Sequence, residues 1–514
     1  MSSKNEKQVG SGLRLLARSG LVVFVGLFLS KVLSYAYRII IARSFGAEAY
    51  GLFSLALMVV GWFIAFSALG LSEGLIRYIP FYRGKKALGK VRYLLRWTSG
   101  IFLGSGVVAG ALLYFLAEPI SVGIFHNPGL ILYLQWFSIL IPVSLFVQVI
   151  LGTLRAYEKI GWYTFLFNVL QNAVKVAALG IFAWLGWQAE GVVFSYLLGI
   201  MSMLLIGYFV CKTQLSEVFV RPDISEKERG KVRKEVFSYS WPLLLYGIVF
   251  NIFFWIDSFA IGFFQDATAV GWYNAAVPIA VLLGLAPELF MQLFFPLITK
   301  EYARKRVDVI EQLSKQVAKW IFVLNVPALI LIFLFPGAFI NILFGAEYLV
   351  AETALQILAV GMFFFSLMTV SQQLVSMAGK SKTILMNFAG ASVVNLGLNI
   401  WLVPLYGITG AALATSSVYV LLYVTFFVQT KRYLGVMPLR RRLVGVVAAS
   451  IIPLLVILWL RSMIVVRTFW VLLGLLALFG ILYLGCLWLF RSFDRNDMMI
   501  VRAVLKRAKA SVRR

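Results

Sequence analysis

Long apolar segments alternate with short polar connections along almost the entire chain. Fourteen of them are long enough for a helix that crosses the hydrocarbon core of a bilayer, which takes about 20 apolar residues. Their approximate limits are 20–43, 50–76, 93–116, 130–154, 162–186, 191–211, 237–262, 271–298, 317–336, 352–377, 384–404, 409–430, 443–460 and 468–490. The pattern predicts an all-α polytopic membrane protein with fourteen transmembrane helices.

The first apolar segment carries two positive charges within its hydrophobic run, Lys31 and Arg38. In a helix, a spacing of seven residues brings both cations to one face, together with Ser34 and Tyr35. A cation at the bilayer centre costs about 2.5–3.5 kcal/mol on insertion scales, so a helix facing lipid is not expected to keep two. We therefore predict that this face lines a polar cavity and binds an anionic group.

Other roles are compatible with the same residues. Lys31 could pair with a carboxylate, and Arg38, close to the outer helix end, could extend to the membrane interface. The fifth segment adds further polar side chains, since Asn168, Gln171 and Lys175 interrupt its apolar run. We expect them to form part of a cavity wall, although hydrogen bonds between helices would also account for the amides.

The composition agrees with a membrane protein. The 514 residues are 61% hydrophobic and 13% charged, with a mean hydropathy of +0.91, whereas a soluble globular chain is about 45–50% apolar and about 25% charged. A net charge of +26 would suggest a nucleic-acid partner for a soluble chain. In a membrane protein the positions of the charges are more informative than their sum, and no nucleic acid is expected.

No motif for catalysis is found in the sequence. It contains no P-loop, no HExxH motif and no acidic DxD pair. The two cysteines, Cys211 and Cys486, and the single histidine, His126, provide neither a disulfide framework nor a metal site. We expect a protein that is not an enzyme and that uses no cofactor and no metal.

The distribution of Lys and Arg predicts the orientation in the membrane. If the N-terminus is cytoplasmic, 41 of the 47 cations fall in inner connections and termini, three in outer connections and three within helices. Cytoplasmic loops carry such an excess of positive charge. We therefore predict a multi-pass protein of the cell membrane with both termini in the cytoplasm.

One long polar insert, residues 213–235, divides the chain after the sixth span. We predict an N-terminal lobe of six helices (1–212), a cytoplasmic linker (213–235) and a C-terminal lobe of six helices (236–431). Spans thirteen and fourteen follow (432–490). A basic tail (491–514) is expected to lie as a helix on the anionic inner leaflet.

The two lobes share weak internal similarity. Gly51 matches Gly271 at an offset of 220 residues, and Gly191 matches Gly410 at an offset of 219. Six helices separate the copies, so the copies run parallel and are related by a pseudo-twofold axis along the membrane normal. Two such lobes that rock about a central cavity are the architecture of alternating access.

Three carboxylates belong to this predicted core. Asp257 is the one acid clearly inside a span, the seventh, while Glu73 and Glu288 lie toward the cytoplasmic parts of spans two and eight. The repeat pairs Asp257 with Arg38, so one lobe presents cations and the other an anion at similar depth. We expect a coupling site for a cation, Na⁺ or H⁺, or a latch between lobes; a static buried pair is the alternative.

The run RSFGAEAYGLFSLALMVVGWFIAFSALGLSEGLIRYIPFYRGKK, residues 43–86, resembles the first hairpin of polysaccharide transporters in the multidrug/oligosaccharidyl-lipid/polysaccharide exporter superfamily. ILFGAEYLVAETALQILAVG, residues 342–361, is similar to the family's connection between spans nine and ten. The resemblance covers all fourteen spans. It implies a flippase that moves an oligosaccharide linked to a polyprenyl phosphate or diphosphate to the outer leaflet. It also implies a role for basic residues of the first helix, here Lys31 and Arg38.

Other functions are weighed against this one. A lipid II flippase also has fourteen spans, whereas a cation-coupled multidrug antiporter of the superfamily usually has twelve and an acidic cavity. A glycan ligase or polymerase needs an outer active site, for which the short outer loops leave little room. We expect the partners to be a lipid-linked oligosaccharide, membrane lipids and a coupling cation, and the protein to act as a monomer.

Overall fold

A computed structural model describes residues 2–438, 443–463 and 469–490, with side chains from residue 26 onward apart from residues 292, 293, 443 and 469. Every regular element in these ranges is helical. The α-helices are α1 (Ser2–Ser67), α2 (Leu71–Gly84), α3 (Leu88–Glu118), α4 (Gly129–Phe137), α5 (Leu140–Ala156), α6 (Ile160–Thr164), α7 (Gln171–Trp184), α8 (Ala189–Gln214), α9 (Glu226–Phe264), α10 (Ala267–Val281), α11 (Leu285–Ala303), α12 (Val307–Leu334), α13 (Pro336–Leu343), α14 (Glu352–Met377), α15 (Ser381–Leu434), α16 (Leu443–Met463) and α17 (Phe469–Leu489). The predicted all-α class is confirmed. The basic tail, 491–514, lies outside the described residues.

Twelve helical stretches in the described residues are long and apolar enough to cross a membrane. Two of them are too long for one crossing, Gly26–Ser67 with 42 residues and Ser381–Leu434 with 54. Each is broken at a glycine with non-helical torsions, Gly46 (φ 83°, ψ 177°) and Gly407 (φ 58°, ψ −136°). Counting each as two helices gives fourteen crossings, in agreement with the prediction.

The second predicted span, 50–76, is interrupted. Helix α1 ends at Ser67 and α2 begins at Leu71, and between them Leu69 and Gly70 have positive φ angles of 48° and 68°. The apolar pattern continues through this break because hydrophobicity reports burial and not backbone geometry.

The eighth predicted span, 271–298, is also interrupted, by a 3₁₀ turn at Leu282–Gly284. Pro287 has no N–H to donate to the carbonyl four residues earlier, that of Leu283. The side chain of Asn325 donates to this carbonyl instead, at 2.8 Å, and also to Ser366 Oγ at 2.8 Å. A polar side chain from α12 thus replaces the missing backbone hydrogen bond, which lipid could not satisfy.

The chain forms two compact units. The first comprises Met1–Asn274 and Asn395–Ala411, and the second comprises Ala275–Val394 and Ala412–Arg514. In the second unit, α11, α12 and α14 share a core around Ile298, Ile321 and Val370. Helices α16 and α17 pack on α12, where Tyr483 donates to the carbonyl of Val323 at 3.1 Å. The predicted lobe boundaries stay a prediction.

The predicted linker, 213–235, is partly helical, because α9 begins at Glu226. Ser225 caps this helix: its hydroxyl accepts a hydrogen bond from the backbone N–H of Glu228 at 3.4 Å. Ser225 and Glu228 have the three-residue spacing of a capping box, and acids in the first turn stabilise the positive end of the helix dipole. Lys90 on α3 forms an ion pair with Glu228 at 2.9 Å.

Gly51 and Gly271, matched in the sequence repeat, lie at one helix crossing inside the first unit. A Cβ added at Gly51 would overlap the carbonyl oxygen of Ala267, and one added at Gly271 would overlap that of Ala47. The two contacts are copies of each other at the same offset of 220 residues. Helix starts repeat similarly, since α3 and α12 begin 219 residues apart. Both observations support the predicted duplication.

Candidate substrate-binding site

The face of α1 that carries Lys31, Ser34, Tyr35 and Arg38 is half-buried in the first unit. The helix is continuous from Ser2 to Gly46, so the predicted common face of these four residues is present. Its orientation is set by the neighbouring face.

Two hydrogen-bonding residues anchor α1 from the adjacent side. Ser30 Oγ accepts from Asn172 Nδ2 of α7 at 3.1 Å. The hydroxyl of Tyr37 donates to the carbonyl of Val192 at 3.0 Å and lies 2.9 Å from Ser195 Oγ, both on α8. Because Ser30 and Tyr37 each precede a cation by one residue, these bonds fix the rotation of α1 and hence the direction of Lys31 and Arg38.

Arg38 lies among tyrosine hydroxyls. One of its guanidinium nitrogens donates to the hydroxyl of Tyr50 at 3.3 Å, and that hydroxyl donates to the carbonyl of Asn274 at 2.9 Å. The guanidinium also interacts electrostatically with Tyr35 and Tyr196. In the part of the chain that the structure describes, Arg38 has no carboxylate partner.

Lys175 brings a second positive charge to the same region. It is only 7% exposed, and its ammonium lies 4.4 Å from the ring centre of Tyr196 and 5.8 Å from that of Tyr37. It is close enough to Arg38 for the two charges to repel each other. Among the described residues no carboxylate forms an ion pair with Lys175. We call Arg38, Lys175, Tyr37, Tyr50 and Tyr196 the cationic cluster.

The other polar residues of the fifth span are buried next to it. Residues Phe165–Leu170 form one wide π turn between α6 and α7, a feature often found at functional sites. Asn168 is 4% and Gln171 9% exposed. Asn172 donates to the backbone carbonyl of Asn168 at 3.0 Å. The structure thus places the fifth-span amides beside α1, where hydrogen bonds between helices engage only some of them.

Asp257 on α9 belongs to a separate polar network. Its carboxylate accepts from the hydroxyl of Tyr273 at 2.6 Å and from Asn399 Nδ2 at 3.0 Å. Asn399 also donates to the side-chain oxygen of Asn395 at 3.0 Å, while its own side-chain oxygen is buried and receives no hydrogen bond from the described residues. Oxygen atoms of this kind are the ligands that hard cations prefer.

Glu73 and Glu288 lie apart from both groups. Glu73, in the first turn of α2, lines a cavity of about 620 Å³ with residues of α9. Glu288 is exposed in the first turn of α11, in the second unit.

The sequence did not point to Tyr37, Tyr50, Tyr196 or Asn399. The tyrosines resemble other aromatic residues of membrane helices, and their roles depend on contacts between distant segments. Asn399 carried a usable signal, because Asn395 lies one turn earlier on the same face of an apolar helix.

Comparison with known proteins decides the family. Residues 16–300 match the family described as "Polysaccharide biosynthesis protein", which is more than half of the chain. The chain belongs to this family. Residues 242–401 also match the family described as MatE, so the protein is a member of the polysaccharide branch of the multidrug/oligosaccharidyl-lipid/polysaccharide exporter superfamily, as the sequence motifs predicted.

Its relatives are named as transporters and flippases. A putative O-antigen transporter of Shigella flexneri is 24% identical over 73% of this chain and 88% of its own. The lipid II flippase MurJ of Bacillus subtilis is 23% identical over 82% of this chain and 83% of its own. A solved structure of a lipid II flippase MurJ in an inward closed conformation superposes with a TM-score of 0.73, at 17% identity, over 93% of this chain and 100% of that one. This last likeness establishes the fold.

Proposed function

We propose that the protein is an alternating-access flippase that moves an oligosaccharide linked to a polyprenyl phosphate or diphosphate from the inner to the outer leaflet. The observation that carries the proposal is the cationic cluster, in which Arg38 and Lys175 lie close together without a carboxylate partner among the described residues. Membership of a polysaccharide biosynthesis family and relatives named as an O-antigen transporter and a lipid II flippase support this cargo.

The chemistry of the cluster suits a phosphate. Two buried cations that repel each other are stabilised by an anion that both can contact. A guanidinium offers two parallel donors to phosphate oxygens, and an ammonium offers a compact charge. Lys31, Ser34 and Tyr35 extend the same face of α1 and supply further donors. The lipid tail would stay in the bilayer while the charged group crosses through the protein.

Asp257 is proposed to hold the coupling cation. Its carboxylate lies beside the undonated side-chain oxygen of Asn399 and near Asn395, so a small cation such as Na⁺ would find oxygen ligands there. A proton on the carboxylate is the other form of coupling. Both repeat copies are contained in one chain, which supports action as a monomer.

The test is leaflet translocation in proteoliposomes of a fluorescent short-chain prenyl-diphospho-N-acetylglucosamine. Each charge-assisted contact to phosphate contributes roughly 1.5–3 kcal/mol, so Arg38→Gln and Lys175→Gln should each lower affinity about 10- to 150-fold. Lys382→Gln removes an exposed cation outside these groups and serves as the matched control. Wild-type activity of both cluster variants would overturn the proposed site.

Two alternatives are separated by the same assay. Lipid II carries the same diphosphate, and the likeness to MurJ favours it as a second candidate cargo. Faster translocation of lipid II than of the N-acetylglucosamine probe would assign the protein to cell-wall synthesis. Uptake of a cationic drug driven by an ion gradient, without translocation of either lipid, would assign it to multidrug export.

The proposed orientation has its own test. Cysteines placed at Gly123, Glu190 and Tyr406 should react with an impermeant maleimide added to intact cells, whereas cysteines at Ser225 and Lys380 should react only after lysis. Labelling of Ser225→Cys in intact cells would reverse the proposed orientation.

A further inference from the structure

We propose that the cavity between α2 and α9 binds the sugar portion of the cargo, separately from the cationic cluster that holds its phosphate. This inference rests on the proposed function. The cavity has a volume of about 620 Å³ and belongs wholly to the first unit. Six of its lining residues carry the argument: Glu73, Tyr239, Tyr246, Asn251, Phe254 and Trp255.

The lining comes from one face of α9. Tyr239, Tyr246, Phe250 and Phe254 follow each other at intervals of seven, four and four residues, the spacing that aligns side chains on a helix. Their rings form a continuous surface: Tyr246 stacks on Phe250 with centroids 5.5 Å apart, and Phe250 meets Phe254 edge to face at 4.8 Å. Tyr246 and Phe254 are 37% and 45% exposed, so this surface is available to a ligand.

Two acceptors lie beside the aromatic surface. Glu73 makes no hydrogen bond or ion pair with any described residue, and its side chain is exposed to the cavity. The side-chain oxygen of Asn251 is buried and receives no hydrogen bond from the described residues. A buried acceptor without a donor costs roughly 1–3 kcal/mol, so the site favours a ligand that can donate.

A sugar ring matches both surfaces. Its C–H faces are apolar and slightly positive, so they pack on the negative faces of aromatic rings. Its hydroxyls donate to carboxylate and amide oxygens. A volume of about 620 Å³ falls in the range of about 300–1,000 Å³ typical of sites for small ligands, and it accommodates a short oligosaccharide.

The charge around the cavity favours a neutral ligand over an organic cation. Arg77, one turn after Glu73 on α2, places its guanidinium 4.1 Å from the ring centre of Tyr239. The face of Tyr239 is thus already occupied by a cation, and the positive charge of Arg77 offsets the carboxylate of Glu73. An aromatic cage for a cation requires free ring faces and a net negative charge.

The experiment compares two soluble probes on the full-length protein in detergent micelles. Farnesyl diphosphate carries the phosphates and a short tail, and farnesyl-diphospho-N-acetylglucosamine adds one sugar. Dissociation constants are measured by microscale thermophoresis. The wild-type protein should bind the sugar-bearing probe about tenfold more tightly, which corresponds to about 1.4 kcal/mol. Trp255→Leu and Glu73→Gln should each remove most of this difference and leave the binding of farnesyl diphosphate unchanged.

Matched variants separate the possible outcomes. Trp241→Leu makes the same substitution on α9 at an exposed residue that does not line the cavity, and it should leave both constants unchanged. Arg38→Gln should weaken both probes equally. Equal affinity of the wild type for the two probes, or parallel losses for both in the cavity variants, would overturn the sugar site alone. Binding of neither probe would overturn the proposed function, and this inference with it.

A further arm tests the cation alternative. Tetraphenylphosphonium should bind no more weakly to Glu73→Gln than to the wild type. A loss of its binding in this variant, with the sugar preference intact, would assign Glu73 to cation recognition and overturn its role in binding sugar.

Discussion

Helices α1 and α9 are repeat counterparts, yet their polar residues are satisfied in opposite ways. Arg38 on α1 has a single hydrogen bond of 3.3 Å to a tyrosine, and Lys175 beside it has only aromatic rings. Asp257 on α9 accepts hydrogen bonds of 2.6 Å and 3.0 Å from a tyrosine and an asparagine. The anion is therefore largely stabilised by the protein itself, whereas the cations need a partner from outside.

The difference follows from the cost of burying charge. A carboxylate can be stabilised by neutral donors, which tyrosine and asparagine provide. A guanidinium or ammonium has no acceptor of its own and needs oxygen atoms in return. Because the described surroundings of Arg38 and Lys175 offer few such oxygens, a visiting phosphate would meet the largest unmet demand in the first unit.

The strongest way to break this comparison is to join the two regions. If Lys31 contacts phosphate, Lys31→Gln should lower affinity for the lipid-linked probe about 10- to 150-fold, and Lys31→Arg should keep much of it. If Lys31 instead pairs only with Asp257, the double variant Lys31→Gln with Asp257→Asn should regain function, because no unpaired charge is left. Translocation in proteoliposomes at matched protein levels measures both, and rescue would favour the latch.

The crossing that links the repeat copies gives the next effect. Gly51→Ala should destabilise the protein by about 1–3 kcal/mol or more, since a methyl group there forces the backbones of α1 and α10 apart. Gly180→Ala is the matched control, because its added methyl group meets nothing within 4 Å in helix α7. It should be neutral or slightly stabilising. Thermal unfolding in detergent measures both variants, and an unchanged melting temperature for Gly51→Ala would contradict the close contact.

Asp257→Asn sharpens the comparison from the other side. The amide keeps the size of the carboxylate and removes its charge, so dependence of transport on Na⁺ or on a proton gradient should be lost while binding of the lipid-linked probe persists. Rates measured with and without each gradient provide the test. Ion dependence that survives the substitution would move the coupling site elsewhere.

The smallest effect is expected from an ion pair in water. Lys90 holds the pKa of Glu228 below its usual range. A depressed acid contributes stability above its unfolded pKa, and this contribution is lost as the pH falls through the folded pKa. Glu228→Gln should therefore lower the melting temperature slightly at pH 7 and not at all well below the usual pKa of glutamate. A difference of equal size at both pH values would point to the capping role of this residue.

Much of the fold could be predicted from the sequence, because the membrane requires uniform apolar helices. Fourteen crossings and the shared face of Lys31 and Arg38 follow from length and period alone. The break at Leu69 and Gly70 did not, since it depends on backbone torsions that the apolar pattern does not record. Lys175 was identified, but its place beside Arg38 depends on contacts between segments more than a hundred residues apart.

The paired contacts of Gly51 with Ala267 and of Gly271 with Ala47 have the form of an isologous interface, in which each surface serves the other. In a homodimer every substitution would appear on both sides of such an interface. In a single duplicated chain each side mutates alone, and a change at one position leaves its counterpart intact. This freedom allows one ancestral helix to give rise to two descendants of opposite charge without disturbing the crossing that holds them together.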